Sequence, residues 1–431
     1  MRDLLFVATM CLAYVATIFR PFAGVLTWSW ISFANPHRML WDEQVGDFSW
    51  ALVTFLAILI GLLCRKEPRR FFMTPIMWLV CFFVVGISIT SLFALAPGNE
   101  VYDKYSLVVK TFLFLIITGM LLDDRRRFFG LIEIMVLSLG YYGVKGGIFA
   151  LKTGGQYTVF GPAESMIADN NHLAAALLVA LPLMNFLRIW AAQRWVRIAV
   201  GATMGLSLLS ILASYSRGAL IGLVAVAIFA LLRSRRKVLL GAAMVVAIVS
   251  AVSIMPEKWH TRMHTISSYN TDDSAEGRIK IWKASFWIAA ARPLVGGGFR
   301  APYIQKIVSE YSPGTIARAV HSIYFEVIGE HGFIVFLVWL AMPITGLLSA
   351  RNIIRRAARR EDLAWANDLA RMSQVSIVAY LVAGAFLSLS YWDYIFTLIV
   401  LLGSLSRFVK MQPDVPPRHI AAQRPATMKR I

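Results

Sequence analysis

The chain has 431 residues, 58% of them hydrophobic and only 16% charged, with a mean hydropathy of +0.64. These proportions exclude an ordinary soluble globule and point to an all-α polytopic membrane protein. The formal net charge of +19 raises nucleic acid as a partner, but the basic residues sit in short clusters between apolar runs. That is the pattern of membrane loops, so no nucleic-acid partner is expected. Cys11, Cys64 and Cys81 all stand inside apolar runs with no C-x-x-C pair, so neither a disulfide framework nor a zinc site is implied.

A membrane span needs about 20 apolar residues. In chain order the runs are 4–19, 48–64, 74–94, 105–122, 128–150, 173–190, 196–214, 218–232, 238–255, 321–349, 372–390 and 394–409, twelve expected spans in all. The first lacks an A-x-A cleavage site and is followed by Arg20-Pro21, so it is expected to be retained. The Trp-rich run 22–34, before "NPHR", is too short for a span and suits an interfacial or re-entrant helix. "RKEPRR" (65–70), "DDRRR" (123–127), the arginines at 188, 194 and 197, "RSRRK" (233–237), "RNIIRRAARR" (351–360) and the tail after 406 each follow an even-numbered span. Basic loops mark the cytoplasmic side, so both termini are expected there.

Four segments, 150–172, 214–218, 256–320 and 391–393, then face outward. The long loop 256–320 carries nine Lys or Arg (258, 262, 278, 280, 283, 292, 300, 306, 318) against five acids (257, 272, 273, 276, 310). Cations on the outer side call for another explanation, and an anionic ligand supplies one. The expected organisation is helices one to nine over 1–255, an outer loop with an amphipathic helix over 256–320, helices ten to twelve over 321–409, and a disordered cytoplasmic tail over 410–431.

Lys145, in "YYGVKGGIFAL", is a cation near the outer surface that either pairs with phosphate or snorkels. "ADNNH" (168–172) forms a polar mouth suited to sugar hydroxyls through Asn170 and Asn171. "SYSRGAL" (214–220) sets Arg217 at a helix end, either as a snorkelling anchor or as a bidentate phosphate ligand framed by small polar residues. "SAEGRIKIWKASFWIAAARPLVGGGF" (274–299) reads as a helix with Ile279, Trp282, Phe286 and Ala289 or Ala290 on one face. Arg278 lies at its start, where helix-end N–H groups add to anion binding. The triple glycine lacks a Walker spacing, so no nucleotide loop is expected. In "ARAVHSIYFEVIGEHGFIVF" (317–336), His321 is either a satisfied helix-start histidine or a general base. Glu326 and Glu330 are candidates to orient or relay protons, and His331 is off the His321 face. The acids Asp272, Asp273 and Glu276 lack a D-x-D spacing, so neither a metal nor a cofactor is expected.

"SRG" at an outer helix end, a "GR…W" helix in one large outer loop, a "GxGF" turn and "HSxYFExxxExG" opening the next span resemble the O-antigen ligase family. The resemblance implies a C-type glycosyltransferase architecture in the bacterial inner membrane. Such an enzyme transfers glycan from an undecaprenyl diphosphate donor to a lipid A-core acceptor on the periplasmic face. It matches the family's essential arginines to Arg217 and Arg278 and its essential histidine to His321. Arg300, Lys145, Tyr215, Tyr324, Asn170, Asn171 and Glu326 are then candidate substrate contacts. The family's "HN" pair is "HS" here, with Ser322, and "NPHR" and "YGVKGGIF" are similar to a branch of O-glycosylation ligases, which leaves the acceptor open. An O-antigen polymerase or a protein O-oligosaccharyltransferase would share the donor. A lipid-linked glycan transporter would instead show paired repeats and polar residues at mid-membrane.

Overall fold

A computed structural model describes residues 1–64, 73–233, 253, 255–264 and 273–413. All regular structure among them is helical: α1 (Arg2–Phe19), α2 (Pro21–Ala34), α3 (Glu43–Asp47), α4 (Trp50–Cys64), α5 (Pro75–Leu92), α6 (Gly98–Leu121), α7 (Arg125–Lys152) and α8 (Asn170–Trp190). Then follow α9 (Arg194–Ala213), α10 (Arg217–Arg233), α11 (Glu257–His264), α12 (Asp273–Ala291), α13 (Gln305–Tyr311), α14 (Ile323–Ala357), α15 (Ala364–Gly384) and α16 (Asp393–Met411), with short 3-10 turns between some of them. Helix starts follow local chemistry. Asp124 accepts from the Arg126 and Arg127 amides, Asp169 from the Asn171 amide, and Thr74 from the Met77 amide ahead of Pro75.

The protein is a polytopic membrane protein. Among the described residues eight helices are long and apolar enough to cross a membrane, α1, α5, α6, α7, α8, α9, α14 and α16, and α4 and the apolar part of α10 are shorter. Helix α15 reaches the length, but Asn367, Asp368, Arg371 and Gln374 dilute its first half. Every expected span except 238–255 meets a helix; all of that one but 253 and 255, like the tail beyond 413, lies outside the described residues. The expected run 372–390 is displaced, since the helix there is Ala364–Gly384 and a non-helical turn follows it. The short run 22–34 forms α2, whose Val25, Trp28, Ile31 and Phe33 are buried between α1, α4 and α7.

Core helices α8 and α16 are 67% and 78% buried over their apolar windows, against 17% for α1, so the latter lies at the rim. Small residues bring helices close, as is common in membrane bundles. A Cβ on Gly147 of α7 would stand 2.3 Å from the Leu206 carbonyl of α9. The "KGGIF" stretch is thus a helix-contact surface.

Two ends of the bundle are distinct. At one end Leu95 N–H donates to Gly297 O (2.8 Å), Val159 N–H to Ala213 O (3.0 Å) and the Trp259 indole to Leu212 O (3.0 Å). At the other, the Trp190 indole donates to Asp368 (3.1 Å) and Arg125 lies over Trp190 and Trp365. The basic loops 123–127, 188–197 and 351–360 gather at this second end.

Helix α12 lies against α14, and its inward face differs from the sequence expectation. Ile281, Ala284, Ser285, Ile288 and Ala289 are buried, whereas Ile279 and Phe286 are exposed at 40% and 41%. Apolar residues occupy two sides of this helix, so spacing alone selects the wrong one. Trp282 lies between them, donating its indole N–H to Val320 O (2.7 Å) and stacking on Phe325 at 5.3 Å. The turn after α12 grips α14 where that helix breaks at Gly332 (φ 72°, ψ −174°). The Gly297 and Gly298 amides donate to Gly329 O (2.9 Å) and Glu330 O (2.7 Å), and Phe333 N–H returns to Pro293 O (2.9 Å). A Cβ on Gly296, itself at φ 60°, would stand 2.5 Å from the Gly332 nitrogen. The triple glycine is therefore an interlock between backbones.

Candidate active site

The turn 214–217 is held from several directions. Tyr215 adopts the left-handed region (φ 57°), and its hydroxyl donates to Gly155 O (2.7 Å). The Asn170 side chain donates to Ser214 O (2.6 Å), tying the start of α8 to this turn. Ser216 Oγ accepts from Ala219 N–H (3.1 Å), so α10 begins with Arg217 half-buried at its first position. Phe386 stands 3.5 Å from the Cβ position of Gly218 and 6.4 Å, ring to ring, from Trp282 of α12. It thereby connects the two helix starts that carry Arg217 and Arg278.

His321 lies just ahead of α14, also in the left-handed region (φ 48°), with its N–H on Ser388 Oγ (2.9 Å). Burial, then the nearby Arg278 guanidinium and the His172 imidazole, push His321 down to about 4, with Asp169 and Glu326 pulling the other way. The structure thus brings His321 together with Arg278 and with the "ADNNH" mouth. Arg278 is half-buried, and the preceding Gly277 leaves room for Arg318, whose Nη1 lies 2.0 Å from where a Cβ would stand. Non-glycine residues in the left-handed region cost about 1–3 kcal/mol each unless the surroundings impose them, and they concentrate at functional sites. Tyr215, Arg300 and His321 are three of the five such residues among those described.

Behind His321 the carboxylates are committed to the protein. Glu326 Oε1 accepts from Lys104 Nζ (2.9 Å) and the Tyr303 hydroxyl (2.7 Å), and Oε2 from Ser390 Oγ (2.5 Å). Glu330 accepts from Lys104 Nζ (2.8 Å), Arg300 N–H (2.9 Å) and the Tyr391 hydroxyl (2.6 Å). Arg300 itself is exposed, its guanidinium over the Tyr303 ring at 5.4 Å. His331 is fully buried, with Nδ1 on Thr90 Oγ1 (2.7 Å) and its ring edge-on to Phe299 at 4.5 Å.

Other expected contacts are placed as follows. Tyr324 donates to Leu381 O (2.8 Å), and the Asn171 side chain to Asp169 (2.9 Å) and Asn170 (3.1 Å). Lys145 lies apart from His321, lining a cavity with Arg38 and the loop 158–163. Of the acids weighed for a metal, Glu276 pairs with Lys280 at 2.8 Å, while Asp272 and the Asp273 side chain lie outside the described residues. Lys104, Tyr303, Ser388, Ser390 and His172 escaped sequence reasoning. Of these only His172 stood in a motif, at the end of "ADNNH", whereas Lys104 is one of several charges between 100 and 110.

Residues 1–192 match a family of unknown function. No curated protein matches the chain. Residues 202–340, which contain Arg217, Arg278, Arg300 and His321, match the O-antigen ligase family model, and this match supports a glycosyltransferase of the ligase or polymerase type. Through that segment the chain is similar to the O-antigen ligase family.

Proposed function

We propose that this protein transfers a glycan from undecaprenyl diphosphate to a sugar hydroxyl of lipid A-core. In this reading it is an inner-membrane enzyme, the end of the bundle bearing His321 faces the periplasm, and both termini are cytoplasmic. The observation that carries the reading is the placement of His321 beside Arg278, at the same end as the Arg217 turn. With its pKa lowered to about 4, the imidazole is neutral at working pH and able to take a proton.

The acceptor hydroxyl oxygen attacks the anomeric carbon with inversion as His321 takes its proton. The bond from that carbon to the diphosphate oxygen breaks, and Arg217 and Arg278 stabilise the charge that accumulates on the leaving diphosphate. Arg300 and Arg318 are further cations at this end. Because Arg278 is one of the groups that weaken His321 as a base, a diphosphate bound to Arg278 offsets that repulsion and raises the imidazole's basicity. Donor binding thus prepares the base, and no metal is required.

The test is reconstitution of purified protein with lipid-linked glycan and lipid A-core, scored for ligated product with and without a chelator. No ligated product from folded protein would refute the acceptor assignment. Activity lost in EDTA and restored by magnesium or manganese would refute the metal-free mechanism.

A further inference from the structure

A cavity of about 440 Å³ lies at the same end of the bundle, between the 3-10 turn Pro36–Met39, α7 and the loop 158–163. Its lining includes Arg38, Tyr142, Lys145, Phe149 and Phe160, and neither His321, Arg217 nor Arg278. All of it falls within residues 1–192, outside the ligase match. The volume lies within the roughly 300–1,000 Å³ of small-molecule sites.

We propose that this cavity binds a sugar ring carrying one anionic substituent, as the acceptor-side subsite of the transfer reaction. The assignment to the acceptor rests on the proposed function; the binding itself does not.

The charges select the ligand. Arg38 Nη1 lies 2.7 Å from Asp47 and 2.8 Å from Glu164, whose side chains are 71% and 69% exposed. Arg38 is therefore matched by two carboxylates just outside the lining, and with Lys145 the local charges sum to zero. A bare inorganic anion gains no net attraction from such a set. A hydroxylated ring uses more than charge: its hydroxyls meet the Arg38 guanidinium and Thr158 of the lining, and its single anionic group pairs with Lys145. Lys145 is exposed and, among the described residues, forms no ion pair or side-chain hydrogen bond. Phe149 and Phe160, exposed at 41% and 62%, offer apolar walls for the C–H face of the ring.

Position supports an acceptor role. The cavity wall is the first part of the loop whose later residues, Asp169 to His172, meet His321. Val159 N–H donates to Ala213 O (3.0 Å), next to the Arg217 turn, and Gly161 N–H to Ala168 O (3.0 Å). A ring in the cavity is thus separated from His321 by a single loop.

The experiment is saturation-transfer NMR on the purified full chain in detergent, without donor, using glucose 6-phosphate, glucose and inorganic phosphate as probes. Glucose 6-phosphate is expected to bind, and Lys145→Ala to weaken it about tenfold, the order of one charge-assisted hydrogen bond. Lys145→Arg should retain affinity within about twofold, and glucose should be indifferent to both changes. Phe160→Ala should weaken glucose and glucose 6-phosphate alike. Glucose 6-phosphate binding that ignores Lys145, or inorganic phosphate binding as well as glucose 6-phosphate, overturns the proposal. So does displacement of glucose 6-phosphate by phosphatidylglycerol but not phosphatidylcholine nanodiscs, which would identify a lipid headgroup as the occupant. In the transfer assay Lys145→Ala should raise the acceptor KM and leave the donor KM unchanged; a raised donor KM would overturn the acceptor assignment alone.

Discussion

Replacing Lys104 with methionine removes one ammonium from between two buried carboxylates while keeping most of the side-chain volume. Lys104 Nζ lies 2.9 Å from Glu326 and 2.8 Å from Glu330, whose side chains are 4% and 0% exposed. Tyr303 and Tyr391 rings flank the ammonium at 5.2 and 5.0 Å. Their hydroxyls, with Ser390, still donate to the carboxylates after the change, but no cation remains beside them. Breaking a buried ion pair from one side costs about 3–5 kcal/mol, and each kcal/mol shifts Tm by roughly 2–4 °C in domains of 150–250 residues, less in longer chains. Lys104→Met should therefore lower the unfolding temperature of the detergent-solubilised protein by several degrees, read by intrinsic fluorescence. Activity should fall with it, because Glu326 sits five residues after His321 in the same segment. Adding Glu330→Gln should recover part of the loss, since an amide replaces the stranded charge. A Lys104→Met protein as stable as the parent, or a double variant worse than the single one, would refute this account of the network.

The site makes further expectations. His321→Ala should lower turnover by about 10²–10⁴-fold with donor binding retained, whereas His331→Ala should lower stability and leave the specific activity of the folded fraction nearly intact; the reverse result would move the base to His331. Arg217→Ala should weaken donor binding and turnover together, and Arg217→Lys should restore them only in part, because an ammonium keeps the charge but loses the fork; full activity of the lysine variant would count against bidentate binding. NMR titration of His321 in donor-free protein should give a pKa near 4, against 6.5 for an ordinary histidine. The unfolded chain then takes up a proton that the folded one does not, so stability attributable to His321 falls as pH drops from about 6.5 to about 4, and a parallel stability profile for His321→Gln would contradict it. Ser274→Cys, in a background without the native cysteines, should react with an impermeant reagent in intact spheroplasts; reaction only after permeabilisation would invert the proposed orientation.

Legibility from sequence followed the range of the interactions. Arg217, Arg278 and His321 stood in short motifs at helix starts, and these starts do meet at one end of the bundle. Lys104 was opaque because its partners are 222 and 226 residues away in the chain. The end of α15 was misread for a related reason. Hydropathy cannot distinguish a membrane helix from an apolar turn, and Phe386 to Tyr391 form a buried turn whose Ser388 and Ser390 hydroxyls serve His321 and Glu326. The inward face of α12 failed on periodicity, since Ile279 and Phe286 supply a second apolar stripe directed outward.

The grip of the glycine turn on the break at Gly332 also fixes where this protein can diversify. The stretch 293–299 and the stretch 329–333 exchange backbone hydrogen bonds with no room for a Cβ at Gly296, so neither can change length without the other. Residues 312–318, mostly exposed and joined to the fold largely by short-range bonds, carry no such obligation. An insertion there leaves the paired backbones untouched, whereas one in either paired stretch has to be matched in the other.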